Sequence, residues 1–89
     1  MSSARRRLSF DEFARRITGE FGDRGVSLTK TTGLYDEFGL DSFEAFMLLL
    51  FIESLAGVDF PPDTPPALWT VGDGFNYYTQ LAAGNTTHT

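Results

Sequence analysis

The 89-residue chain reads as an all-α domain with three main helices and one short one. Three observations predict this. Helix-start patterns stand at Ser9-Phe10-Asp11-Glu12, Asp41-Ser42-Phe43-Glu44 and Thr70-Val71-Gly72-Asp73, each just ahead of an apolar stretch. Apolar residues in the first and last of these stretches recur at spacings of three and four, the period of one helix face. Almost no run alternates apolar with polar, so little argues for strands.

The first helix is expected over 9–21. The Ser9 hydroxyl suits the Glu12 amide, the Glu12 carboxylate suits the Ser9 amide, and Leu8 and Phe13 take the staple positions. Phe10, Phe13, Ala14, Ile17 and Phe21 form the apolar stripe, and Gly19 and Gly22 mark the end. Residues 22–40 are a long glycine-containing connection, which must pack by its own side chains. Val26, Leu28, Leu34, Tyr35 and Phe38 are the candidates.

Asp41 caps the second helix, which runs to Gly57, a suitable left-handed terminator. Between Phe43 and Leu55 only Glu44, Glu53 and Ser54 are polar. At about 100° per residue, Ala45, Leu48, Leu49, Ile52 and Leu55 share one face. Phe43, Phe46, Met47 and Leu50 share the opposite one, with Glu44 and Glu53 near the seams. Such a helix is either buried all round or packs one face inside and meets partners with the other.

Pro61, Pro62, Pro65 and Pro66 stiffen the next connection. Thr64 as N-cap and Pro65 at the first helical position predict a short helix through Trp69. The last helix follows, with Val71, Phe75, Tyr78, Leu81 and Ala82 as its stripe and Gly84 as its end. Residues 1–7 read as a flexible basic N-terminus and 85–89 as a flexible polar tail around one domain, 8–84. Nine Phe, three Tyr and one Trp suggest a filled interior.

Composition removes several function classes. The chain has no cysteine, which excludes disulfides and thiolate metal sites. Its single histidine, His88, lies in the polar tail, so a histidine-based dyad is not expected. All seven basic residues fall within the first thirty positions, and eight acidic residues but no Lys or Arg follow from Thr31 onward. That surface repels nucleic acid and favours basic partners. Arg5-Arg6-Arg7 lacks the apolar core of a secretory signal, and the apolar run 45–52 is too short to span a bilayer. A soluble, cytoplasmic monomer without nucleic-acid or membrane partners is expected.

Ser42, behind Asp41 and ahead of the apolar helix, is the candidate site. Nothing near it in sequence activates the hydroxyl as a nucleophile. Gly39-Leu40-Asp41-Ser42-Phe43, the preceding Leu34-Tyr35-Asp36-Glu37-Phe38 and the later Thr70-Val71-Gly72-Asp73 together resemble the acyl carrier protein family. The resemblance spans roughly residues 8–83. It implies a four-helix carrier bundle and a 4′-phosphopantetheine arm on Ser42, added from coenzyme A by a phosphopantetheinyl transferase. The arm would carry acyl groups as thioesters between partner enzymes, so the protein itself is not an enzyme. A loading ligase or acyltransferase and a condensing or tailoring enzyme complete the implied partners.

The resemblance places Asp41, Phe43, Glu44, Phe46, Met47 and Leu50 on the partner-binding side. Fatty-acid carriers typically show more acids along this helix, whereas Met47, Ser54 and Leu55 stand here, and Phe43 replaces a common leucine. The implied docking face is more apolar, which favours a polyketide or other specialised natural-product pathway over housekeeping fatty-acid biosynthesis. A peptidyl or aminoacyl carrier and an unmodified interaction module are the alternatives. Gly39-Leu40-Asp41-Ser42 favours the acyl type over the Gly-Gly-x-Ser pattern of peptidyl carriers.

Overall fold

Reciprocal caps start the first two helices, and a shorter version starts the third. In the computed structural model, which describes residues 7–58, 63 and 66–87 (side chains through 83), α1 spans Phe10–Phe21, α2 Ser42–Ala56 and α3 Val71–Thr87. Ser9 caps α1, its amide donating to Glu12 Oε1 at 2.8 Å and its hydroxyl accepting from the Glu12 amide at 3.2 Å. At α3 the Asp73 amide donates to Thr70 Oγ1 at 3.0 Å, while the Thr70 and Trp69 amides donate to Asp73 Oδ2. These bonds satisfy first-turn amides that a helix cannot pair internally.

Among the described residues there is no strand, only an isolated bridge between Gly33 and Thr70. No described helix is long and apolar enough to cross a membrane. Residues 1–6, which include Arg5 and Arg6, and the prolines at 61, 62 and 65 lie outside the described residues.

α3 packs against both α2 and α1. Phe13 and Ile17 of α1, Leu48, Ile52 and Ala56 of α2, and Val71, Tyr77, Tyr78 and Ala82 of α3 make the core. Phe13, Phe75 and Tyr78 stand with ring centroids 5.4–6.1 Å apart, and Phe10 meets Phe75 edge-on. The Tyr78 hydroxyl accepts from the Leu8 amide at 2.8 Å, which ties the entry of α1 to α3. The α1 stripe thus faces inward as its spacing requires.

The long connection is packed by its own residues: Leu34, Phe38 and Leu40 are buried in the core. It also closes the start of α3. The Val71 amide donates to the Thr32 carbonyl and the Gly72 amide to the Lys30 carbonyl, both at 2.9 Å. A Cβ at residue 72 would sit 2.6 Å from the Lys30 oxygen, so glycine is required there despite its helix cost.

Three sequence expectations need correction. Residues 66–69 are not helical, and Thr64 and Pro65 lie outside the described residues. The Trp69 carbonyl accepts from the Leu34 amide, which ties the end of this segment to the long connection. Second, α3 continues past Gly84 to Thr87. A glycine weakens a helix by about 1 kcal/mol but ends it only where the chain turns left-handed, as Gly57 does after α2 with φ 72°. Third, Tyr35 is half exposed rather than packed inside.

Candidate functional site

The site is assembled where the long connection enters α2. Asp41 has extended φ/ψ and accepts the Glu44 amide on Oδ1 at 2.7 Å, while its own amide donates to Glu44 Oε1 at 3.3 Å. This capping box makes Ser42 the first helical residue. Ser42 is exposed, and its hydroxyl takes part in no hydrogen bond among the described residues. The Ser42 and Phe43 amides likewise find no acceptor among the described residues, as expected at the first two positions of a helix. Their orientation toward solvent makes the α2 terminus mildly attractive to anions.

A residue that sequence reasoning missed organises this turn. Arg24, just beyond α1, reaches across to α2. Its Nη2 donates to Glu44 Oε2 at 2.7 Å and its Nη1 to Glu44 Oε1 at 3.3 Å. Nη1 also donates to the Gly39 carbonyl at 3.2 Å, and Nε and Nη2 donate to the Phe21 carbonyl. The guanidinium lies 4.9 Å from the centroid of the Phe38 ring. The Arg24 guanidinium, with the Asp41 amide, holds the Glu44 carboxyl below its ordinary range. Twenty residues separate Arg24 from Glu44, so no local pattern announces the pair.

Asp41 and Glu44 are therefore committed to the protein's own backbone and to Arg24. The four apolar members of the expected partner-binding set are free. Phe43 is 69% exposed and Phe46 57%, with Met47 and Leu50 also exposed. Tyr35 and Trp69 stand beside them as an edge-to-face pair, ring centroids 5.7 Å apart. These six are all the exposed large apolar side chains among the described residues, and they gather around α2 and the segment preceding α3.

Beside Tyr35 and Phe46 opens a partly enclosed cavity of about 210 Å³. Ala45, Phe46 and Leu49 of α2 form one wall, Leu34 and Tyr35 another, and residues 66–68 a third. Ala45 lies three residues after Ser42 and so on the same side of the helix. The chemistry available is limited: an exposed hydroxyl, a positive helix end, paired carboxylates and an apolar cavity one turn away.

Glu53, expected near a seam between the two faces of α2, is turned into the core. It is buried at 7% exposure and accepts a 2.6 Å hydrogen bond from the Tyr77 hydroxyl. Burial, and then the Glu53 carboxylate, push the Tyr77 hydroxyl well above its ordinary value. Among the described residues no cluster of His, Cys, Asp and Glu is arranged to hold a metal ion. No known family model matches the chain, and no solved structure matches it.

Proposed function

We propose that this protein is an acyl carrier: Ser42 receives a 4′-phosphopantetheine arm from coenzyme A, and partner enzymes work on acyl groups held by it. The observation that carries this reading is the placement of Ser42, exposed and unbonded at the first position of α2, directly after a capped turn. The order of α1, a long connection, α2 beginning at Ser42 and a final α3 supports the same reading.

The residues present suit that group. The Ser42 Oγ would bond to the pantetheine-side phosphorus of the coenzyme A diphosphate as the P–O–P bond there breaks, releasing adenosine 3′,5′-bisphosphate and giving up the serine proton to the transferase. Among the described residues no side chain is bonded to Ser42 to remove that proton, and this reading gives the base to the transferase. The Ser42 and Phe43 amides and the α2 dipole favour the resulting phosphodiester. When bound, the arm supplies the thiol that this cysteine-free chain lacks, and with it thioester chemistry. The cavity beside Ala45 gives a short apolar cargo a place against α2, while Phe43, Phe46, Met47 and Leu50 face the enzymes that act on it.

The deciding experiment is intact mass after incubation with coenzyme A, Mg²⁺ and a broad-specificity phosphopantetheinyl transferase. One phosphopantetheinyl addition is expected on the wild type and none on Ser42→Ala. A folded wild type that gains no mass overturns the reading. The exposed apolar face would then favour the second reading, an unmodified interaction module.

A further inference from the structure

The exposed apolar side chains do not stop at the edge of α2. Tyr35, in the long connection, and Trp69, ahead of α3, are 41% and 65% exposed and meet edge to face. Tyr35 shares the wall of one cavity with Phe46, so the pair continues the outward side of α2. Neither the Tyr35 hydroxyl nor the Trp69 indole N–H is hydrogen-bonded among the described residues. With Phe43, Phe46, Met47 and Leu50 the pair leaves roughly 600 Å² of surface open. A patch of this extent lies at the upper end of what monomers expose. It approaches the area of about 800 Å² that each side of a standard protein interface buries.

Charge selects the partner. Glu37, Asp41, Glu44, Glu53 and Asp73 each accept a hydrogen bond from the protein itself. Asp36 is exposed and accepts none among the described residues. It follows Tyr35 directly, and its carboxylate lies against Gly33, where a Cβ would strike Asp36 Oδ1. Gly33 is bridged to Thr70, the neighbour of Trp69, and bridged segments run about 5 Å apart. The free carboxylate and the two rings thus share one corner of the molecule. A carboxylate beside aromatic rings, whose faces are themselves negative, suits a cation. Arginine suits it best, because its plane stacks on a ring while its fork bonds a carboxylate. Among the described residues no Lys or Arg lies on Tyr35 or Trp69: Arg24 binds Glu44 and lies against Phe38, and Lys30 lies over Phe10. A second copy is a poor occupant. A two-fold dimer sets this patch against itself, and none of its members is basic.

We propose that Tyr35, Asp36 and Trp69 form a docking site beside α2 that takes an arginine from a partner protein, whose apolar surface covers the outward side of α2. The partner is recognised as an apolar patch edged by arginine. The site needs no arm on Ser42, so it stands apart from the carrier reading.

Trp69 is the single tryptophan of the chain, so its fluorescence reports the site directly. The probe is a helical peptide with leucines along one face and arginines at the edges of that face; its twin has glutamines in place of the arginines. In about 0.15 M salt, which screens distant charges, the arginine peptide is expected to bind the wild type about fivefold tighter than its twin. Trp69 emission should change on binding. Asp36→Asn and Trp69→Leu, followed by calorimetry because the second lacks the reporter, should each reduce that preference to less than about twofold. Glu20→Gln removes an equal charge from the exposed side of α1 and should leave it unchanged. Equal affinity for the two peptides overturns the proposal, as does no binding up to about 1 mM. A loss as large at Glu20 as at Asp36 also overturns it, because the attraction is then that of net charge alone. So does sedimentation of the unmixed protein as a dimer that Trp69→Leu dissolves, which gives the face to a second copy. Thermal melting checks each variant; should Trp69→Leu fail to fold, Asp36→Asn against Glu20→Gln decides. None of these readouts involves coenzyme A, so a protein that accepts no arm still tests this site.

Discussion

The two faces of α2 are made of nearly the same material and meet opposite fates. Leu48 and Ile52 are at most 1% exposed, whereas Phe46 and Leu50, two residues from each, are 57% and 43% exposed. Hydrophobicity did not decide which side turned inward, because the outward side carries the larger side chains. What decides is what each side meets. The inward residues line up with α3, where Tyr77 offers a hydroxyl to Glu53, and with the Leu34, Phe38 and Leu40 cluster of the long connection. The outward side has no equivalent layer among the described residues. An apolar helix can thus use one face for stability and leave the other for contact, and the buried polar partner marks which is which.

The largest test of that division is a truncation on the inward face. Ile52→Ala removes a side chain with no exposure from a packed core, and a loss of about 2–5 kcal/mol is expected. For a domain of this size each kcal/mol lowers the melting temperature by about 4–8 °C. Thermal denaturation followed by circular dichroism reads this directly. A small effect at Ile52 would break the comparison, because it would mean that the inward face is loosely held.

Glu53 and Tyr77 sharpen it further. Tyr77→Phe leaves a buried carboxylate without its hydrogen-bond donor, at an expected cost of about 1–3 kcal/mol. The pair also predicts a pH dependence. The folded state holds the Tyr77 proton more tightly than the unfolded chain does. Its contribution is therefore complete below the ordinary tyrosine value of about 10 and is lost as pH rises above it. Denaturant midpoints measured from about pH 9 to 11 should fall more steeply for the wild type than for Tyr77→Phe. Parallel curves would show that the tyrosine proton is not linked to folding.

Much of this organisation was legible in the sequence because it depends on neighbours three and four residues apart. The two capping boxes, the α1 stripe, the left-handed Gly57 and the first-turn position of Ser42 are of that kind. Long-range pairings were not legible. The Arg24–Glu44 bond, the burial of Glu53 against Tyr77 and the closure of α3 by the Lys30 and Thr32 carbonyls all join residues at least twenty positions apart. The cavity beside Ala45 was hidden for a related reason: it is lined by Leu34 and Tyr35, by α2 and by residues 66–68, which are far apart in sequence.

The smallest expected stability change belongs to the outward face and is the most informative about its purpose. Phe43 is 69% exposed, so Phe43→Ala should change stability by no more than about 0.5 kcal/mol. If the face exists for contact, the same substitution lowers the efficiency of modification by the transferase, read as kcat/KM, while the fold is intact. Ser54→Ala, also on α2 and exposed, serves as the control and should alter neither quantity. A Phe43→Ala variant that melts early yet is modified normally would place this side chain in the fold rather than at a partner. The two faces would then differ in exposure but not in role. An unchanged melting temperature with slowed modification separates them, because only a contact surface can be damaged without being felt by the core.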